Sequence, residues 1–181
     1  MYEERRGIAR YCVDKLIDDG DIIMLDASRI SVHMAELLVQ SGKNVTVFTN
    51  AIRICELLAD GPNIDILLIG GKFTRETYAT FGKISEQYIK QLRFDKTFQG
   101  AEGVTIDKGI TVNDIGGAEF KKALLKQCDK YYIYTTHTSF SVINEYKVCD
   151  LDEVEEIITD YKLDDETYNL YKKYNINITR V

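Results

Sequence analysis

The chain has 181 residues, 45% hydrophobic and 29% charged, enough apolar material for one α/β core and too much for a disordered segment. Its net charge of −6 withholds the basic footprint of a nucleic-acid binder, and no basic run exceeds two residues. Cys12, Cys55, Cys128 and Cys149 lie far apart, with no CxxC pair and no zinc-type Cys–His spacing, so they read as reduced thiols of a cytoplasmic protein without a metal or other cofactor. No signal peptide is expected, and no apolar run approaches the ~18 residues of a membrane span.

Residues 3–18 place Ile8, Tyr11, Cys12 and Leu16 at helical spacing. DIIMLD, 21–26, is a short buried-type strand, and 31–40 a helix that Gly42 stops. NVTVFT, 44–49, is a strand by alternation and β-branching, and Asn50 is placed to cap the helix that follows. Gly61-Pro62 marks a turn, and IDILLIGG, 64–71, is an apolar strand ending in two glycines. A looser segment, KFTRETYATFG, precedes a helix at 83–92 and a strand at 95–103 that runs into glycines. Residues 117–128 form a helix with Phe120, Leu124 and Leu125 on its apolar side. KYYIYTTHT is the next strand, followed by a strand at 154–160, the helix DETYNLYKKY and the closing strand NINITRV.

Strands alternating with helices of 10–15 residues imply right-handed βαβ units and a parallel sheet. Ligands of such sheets bind outside the carboxyl ends of the strands. That rule gathers Asp26 to Arg29, Thr49-Asn50, Gly70-Gly71-Lys72, Gly100 to Gly103, Thr135 to Ser139 and Thr159-Asp160.

Each candidate also has a plainer reading. Gly70-Gly71 permits close approach of a ligand, but is neither GxGxxG nor a P-loop and serves equally as a turn. Ser28 and Arg29 suit a phosphate at a helix N-terminus; Ser28 also suits a simple cap with Arg29 in solvent. Glu119 and Lys121, two apart on a helix, cannot face the same way, so at most one points to a site. His33 reads as packing or surface. His137 ends a strand, but nothing near it in sequence supplies the partners a general base needs.

DGDIIMLD, NVTVFTNAIRICELL, IDILLIGGKF, TFGKISEQYI, DKTFQGAEGV, KGITVNDIGGAEFKKALL and LDEVEEIITD occur in this order. The succession resembles the effector-sensing domain of DeoR-type transcriptional regulators over nearly the whole chain. The resemblance implies an α/β fold with a Rossmann-like, mostly parallel sheet flanked by helices, related to sugar-phosphate isomerases, sugar-phosphate deaminases and CoA transferases. It implies one sensing domain over 1–181 that is not an enzyme, takes a phosphorylated sugar or similar metabolite, and forms a homo-oligomer. DNA would be met only through a winged helix-turn-helix domain outside this chain, and no membrane is involved. The ligand-binding positions are then Asp26, Ser28, Arg29, Thr49, Asn50, Gly70, Gly71, Lys72, Glu102, Gly103, Glu119, Lys121, Thr136, His137 and Ser139.

Three departures from the family pattern bear on the ligand. Asp-x-Gly-Thr-Thr becomes Asp26-Ala27-Ser28-Arg29-Ile30. Glu-Ala-x-x-Lys becomes Gly117-Ala118-Glu119-Phe120-Lys121. Asp-x-Ser-Lys becomes Thr136-His137-Thr138-Ser139. Losing that lysine removes charge-assisted bonds to a phosphate, unless Arg29 or Lys72 replaces it. The hydroxyls can take a less charged ligand or satisfy one another. An enzyme of the same fold, and a domain that serves assembly alone, are the alternative readings.

Overall fold

The computed structural model describes all of residues 1–181. Seven strands form one parallel sheet: β1 (Ile22–Leu25), β2 (Val45–Thr49), β3 (Ile64–Leu68), β6 (Phe94–Gly100), β9 (Cys128–Tyr134), β11 (Glu156–Thr159) and β12 (Ile178–Arg180). Their spatial order is β12-β11-β9-β6-β1-β2-β3, and every neighbouring pair is parallel. From β1 the chain winds outward through β2 to β3, then returns to β1's other side at β6 and winds away. This is the doubly wound order, with its switch point between β1 and β6. The Rossmann-like parallel sheet expected from the sequence is therefore present.

β1, IIML, is a continuous apolar run because both of its faces are covered, whereas β6, FDKTFQG, and β9, CDKYYIY, carry charged residues toward their amino ends. Ile23 and Leu25 of β1 face one core together with Ile8, Met34 and Leu38, while Met24 faces the other with Phe94, Phe120 and Leu124. The first core lies under α1 (Tyr2–Tyr11, continued by a π-helical turn Cys12–Leu16), α2 (Arg29–Ser41) and α3 (Ile52–Leu58). The second lies under α4 (Lys83–Ile89), α5 (Ile115–Leu125) and α6 (Asp165–Lys173). α2 stops where expected, with Gly42 at φ 69°, a left-handed position that glycine takes without Cβ strain. All four cysteines are free, and no helix is long and apolar enough to cross a membrane.

Some expectations need correction. Asn50 does not cap α3: the cap position is Ala51, and the Asn50 amide reaches across to a later segment. That segment, the loose stretch after Gly71, is a hairpin of β4 (Lys72–Thr74) and β5 (Ala79–Phe81). A small antiparallel sheet, ordered β10-β8-β7, was not foreseen either. It comprises β7 (Gly103–Thr105), β8 (Gly109–Val112) and β10 (Tyr146–Cys149), and it packs against α5. Its strands are three or four residues long, too short for alternation to register. α5 begins earlier than expected because Asp114 caps it, accepting from Gly117 N at 2.6 Å.

Candidate functional site

Asp26 follows β1 directly and Gly100 ends β6, so both stand at the switch point, and the Gly100 amide donates to Asp26 Oδ2 at 2.7 Å. Lys121 Nζ reaches the same oxygen at 2.9 Å from α5. The other oxygen, Oδ1, accepts from Tyr134 Oη at 2.6 Å, Ser28 N at 3.0 Å and Ser31 Oγ at 3.0 Å. Burial opposes ionisation of this carboxyl, but the Lys121 ammonium, the Tyr134 hydroxyl and the Gly100 amide outweigh it and hold its pKa down at about 2. Tyr134 is pushed well above its ordinary value by burial and by the adjacent Asp26 charge. The hub is thus a carboxylate with every lone pair engaged, flanked by a phenol that stays protonated.

Gly100 is needed here for close approach. A Cβ at this position would lie 3.3 Å from Asp26 Oδ2 and 3.4 Å from Ser28 Cβ. Ser28 caps α2, accepting from Ser31 N at 3.1 Å, and its own hydroxyl donates to Tyr134 Oη at 3.0 Å.

Two lobes of one cleft open on either side of Ser28, Gly100, Ala101 and Glu102, which line both. The inner lobe is a cavity of about 210 Å³. Asp26, Gln99 and Lys121 line it together with Asn50, Thr77 and Phe81 of the hairpin side, and with Val112, Asp114, Gly117 and Phe120. The outer lobe, about 610 Å³, is more open and lies at the N-terminus of α2. Arg5, Arg29, Asn113, Asn144 and the hydroxyl-rich turn Thr135, Thr136, Thr138 and Ser139 line it. That volume is of small-molecule size. Neither arginine has a carboxylate partner in the chain; Glu4, next to Arg5 in sequence, is engaged by Lys162.

The turn after β9 is internally bonded. Thr135 Oγ1 donates to Ala101 O at 2.9 Å and lies 2.7 Å from Ser139 Oγ, whose hydroxyl can donate to it, and the Thr136 and Thr138 hydroxyls lie 2.9 Å apart. His137 turns toward the buried Asp160, which accepts its backbone N–H and lies 2.8 Å from its Nδ1. The histidine ring is held by that acid and does not line either lobe.

A family model, the DeoR C-terminal sensor domain, matches residues 1–161. The chain belongs to the DeoR sensor-domain family. It is 30% identical over 172 residues to the HTH-type transcriptional regulator GolR of Listeria innocua, covering 95% of this chain and 66% of that protein. It is 26% identical to the HTH-type transcriptional regulator IolR of Bacillus subtilis, covering 97% of this chain and 69% of that one. It is 29% identical to the transcriptional repressor GlcR of Bacillus subtilis, covering 87% and 60%. The chain thus spans about two thirds of the length of these relatives. Among solved structures, ribose 5-phosphate isomerase A of Methanocaldococcus jannaschii superposes with a TM-score of 0.55 at 13% identity, covering 77% of this chain and 54% of the isomerase. The initiation factor eIF-2B of Pyrococcus horikoshii superposes with 0.57 at 16%, covering 87% and 62%. These likenesses carry the fold.

In this DeoR sensor domain the positions expected from the sequence divide into two groups. Asp26, Ser28, Arg29, Asn50, Glu102, Lys121, Thr136 and Ser139 line the cleft. Thr49, Gly70, Gly71, Lys72, Gly103, Glu119 and His137 line neither lobe. Thr49 is fully buried and accepts from Ala51 N. Gly71 is there for packing, since a Cβ would meet Ser85 Oγ at 2.1 Å, and the Gly70 carbonyl accepts from that same hydroxyl. Gly103 lies beneath Thr111 and the Val142 carbonyl, with no room for a side chain. Lys72 sits on the hairpin and lines a neighbouring cavity of about 480 Å³ that shares Thr77, Phe81 and Asp114 with the inner lobe. Of the pair two residues apart, Lys121 points in and Glu119 points out, 49% exposed and bonded to Lys122.

The sequence reading missed Arg5, Gln99, Tyr134 and the hairpin wall of Thr77 and Phe81. Gln99 carried a weak signal: an amide directly after Phe98 at the carboxyl end of a strand costs free energy if buried without a use, but the same strand also holds Asp95, Lys96 and Thr97. Arg5 and Phe81 carried none, because only folding brings α1 and the hairpin to the cleft.

Proposed function

We propose that this chain is the non-catalytic, homo-oligomeric sensing domain of a cytoplasmic transcriptional repressor, and that its effector is a phosphorylated sugar. The phosphoryl group lies in the outer lobe against the N-terminus of α2, between Arg29 and Arg5. A helix N-terminus and two guanidiniums with no carboxylate partner are suited to an anion. The sugar extends past Ser28 and Gly100 toward the inner lobe. DNA is reached through a helix-turn-helix domain outside these residues, as the names of the relatives suggest. In this reading Arg29 and Arg5 take over the charge that the family's lysine supplies after β9.

The observation that carries the non-catalytic reading is the state of Asp26. Isomerisation of a sugar phosphate needs a carboxylate free to take a proton. Asp26 accepts five hydrogen bonds and is held at about 2, so it is a poor base. Position 117, where the family pattern has Glu, is glycine, and the other carboxylates lining the inner lobe are engaged, Asp114 in capping α5 and Glu102 in accepting from Asn113 N at 2.8 Å.

Thermal unfolding against a panel of phosphosugars tests the proposal. A ligand at ~100 times its dissociation constant adds roughly 2.7 kcal/mol and moves the midpoint visibly. A shift with one phosphosugar, lost in Arg29→Ala and unaccompanied by turnover, is expected. Turnover of ribose 5-phosphate that Asp26→Asn abolishes would establish the isomerase reading that the fold likeness favours.

A further inference from the structure

The inner lobe contains two polar atoms that the fold leaves unpartnered. Asn50 is 1% exposed and Gln99 fully buried, and both line this cavity. Asn50 Oδ1 and Gln99 Nε2 have no hydrogen-bond partner. Each amide has its other end fixed. Asn50 Nδ2 donates to the Thr80 carbonyl at 2.9 Å, which leaves the oxygen free. Gln99 Oε1 accepts from Lys121 Nζ at 3.3 Å, which leaves the NH₂ free. Neither amide can flip without losing that bond, so one acceptor and one donor in the lining of the lobe are left unpartnered. A buried amide group without a partner costs free energy, and a native fold retains two in one cavity only where something satisfies them.

We propose that Asn50 and Gln99 are the hydroxyl-reading pair of this site and decide which sugar it accepts, a proposal that rests on the sensor reading and names how that site discriminates. A hydroxyl donates its proton to Asn50 Oδ1 and accepts from Gln99 Nε2, or two adjacent hydroxyls divide the two bonds. A ligand carboxylate or ketone satisfies only Gln99, and an ammonium only Asn50. A second phosphate is excluded, because the neighbouring Asp26 carboxylate repels it and already occupies the Lys121 ammonium. Phe81 and Phe120 supply apolar walls for the C–H face of a sugar. The two lobes therefore divide the recognition: charge in the outer lobe, hydroxyl pattern in the inner.

The test needs no variant at first. The whole chain is titrated, by thermal shift and calorimetry, with ribose 5-phosphate, glucose 6-phosphate and fructose 6-phosphate, with their deoxy analogues, and with inorganic phosphate. The expected result is that the best phosphosugar loses roughly tenfold or more in affinity when one particular hydroxyl is removed. Gln99→Met keeps the length of the side chain and removes the donor without burying a second carboxylate beside Asp26. It is expected to bind parent and deoxy sugar alike. Deoxy analogues that all match their parents overturn the hydroxyl-reading pair and leave the phosphosugar sensor standing. If no phosphosugar exceeds inorganic phosphate, the phosphosugar reading falls, and free glucose, ribose and glycerol decide the pair. A response to one of them that Gln99→Met removes retains it; silence overturns it as well.

Discussion

The central strands β1 and β6 carry an ion pair at each end, and the two ends behave differently. At the amino ends, Lys96 Nζ bonds Asp18 at 2.7 Å and Asp21 at 2.6 Å. At the carboxyl ends, Asp26 bonds Lys121 at 2.9 Å. The first set closes a surface turn, and Asp18 is 81% exposed. The second forms the floor of a cleft and is sealed by Tyr134, Ser31 and the Gly100 amide. The same charges serve as a clasp at one end and as the floor of a cleft at the other. Topology makes the difference: at the switch point the loops after β1 and β6 turn to opposite faces of the sheet, and their divergence leaves a crevice.

The largest effect that can break this comparison is on stability. Asp26→Ala leaves Lys121 and Tyr134 buried without their acceptor and is expected to cost ~3–5 kcal/mol in urea unfolding. Lys96→Met leaves Asp18 in water and leaves Asp21, though largely buried, still accepting from the Asp18 amide, and is expected to cost about 1–2 kcal/mol. Equal costs would mean that the two pairs are the same kind of structural clasp.

Acid should separate the ends as well. The Asp26 carboxyl is lowered from 3.8 to about 2 by folding, so its contribution is complete above pH 4 and is lost as pH falls toward 2. That contribution is on the order of 2 kcal/mol. The difference in stability between the native chain and Asp26→Asn should therefore shrink between pH 4 and pH 2. A constant difference across that interval would show that the hub is not ionised.

Tyr134→Phe removes one donor from the hub and leaves the others. We expect a loss of about 1–2 kcal/mol, and an acid transition moved to higher pH because the carboxylate is less well held. The smallest effect on stability belongs to Arg29→Ala, within about 0.5 kcal/mol for an exposed side chain. The same variant should lose most of the phosphosugar-induced shift in melting temperature. If it keeps that shift, the anion is held elsewhere, and Arg5→Ala is the next measurement.

Much of this arrangement is legible in the residue order. Asp26 after an apolar strand, Ser28 before a helix and the run YYIYTTHTS mark the carboxyl ends of strands, and all reach the cleft. Glycine pairs misled, because a glycine looks the same whether a ligand or a neighbouring helix approaches it: Gly71 makes room for Ser85, and Gly103 for Thr111. Asn50 misled for a different reason. Its position suits a cap, but hydrogen bonding to the hairpin thirty residues away competes with capping and wins.

The sequence by itself determined the alternation of strands and helices, the stop at Gly42 and the cap at Ser28. These depend on side chains within a few residues of one another, and local sterics and hydrogen bonding decide them. Which of Glu119 and Lys121 enters the cleft was decided by tertiary structure alone, as were the placing of Asn50 and Gln99 around one cavity and the closing of Asp26 by partners from three distant strands and helices. The hub bonds span 74, 95 and 108 residues. No local pattern encodes such pairs, because they exist only once the sheet has ordered its strands around the switch point.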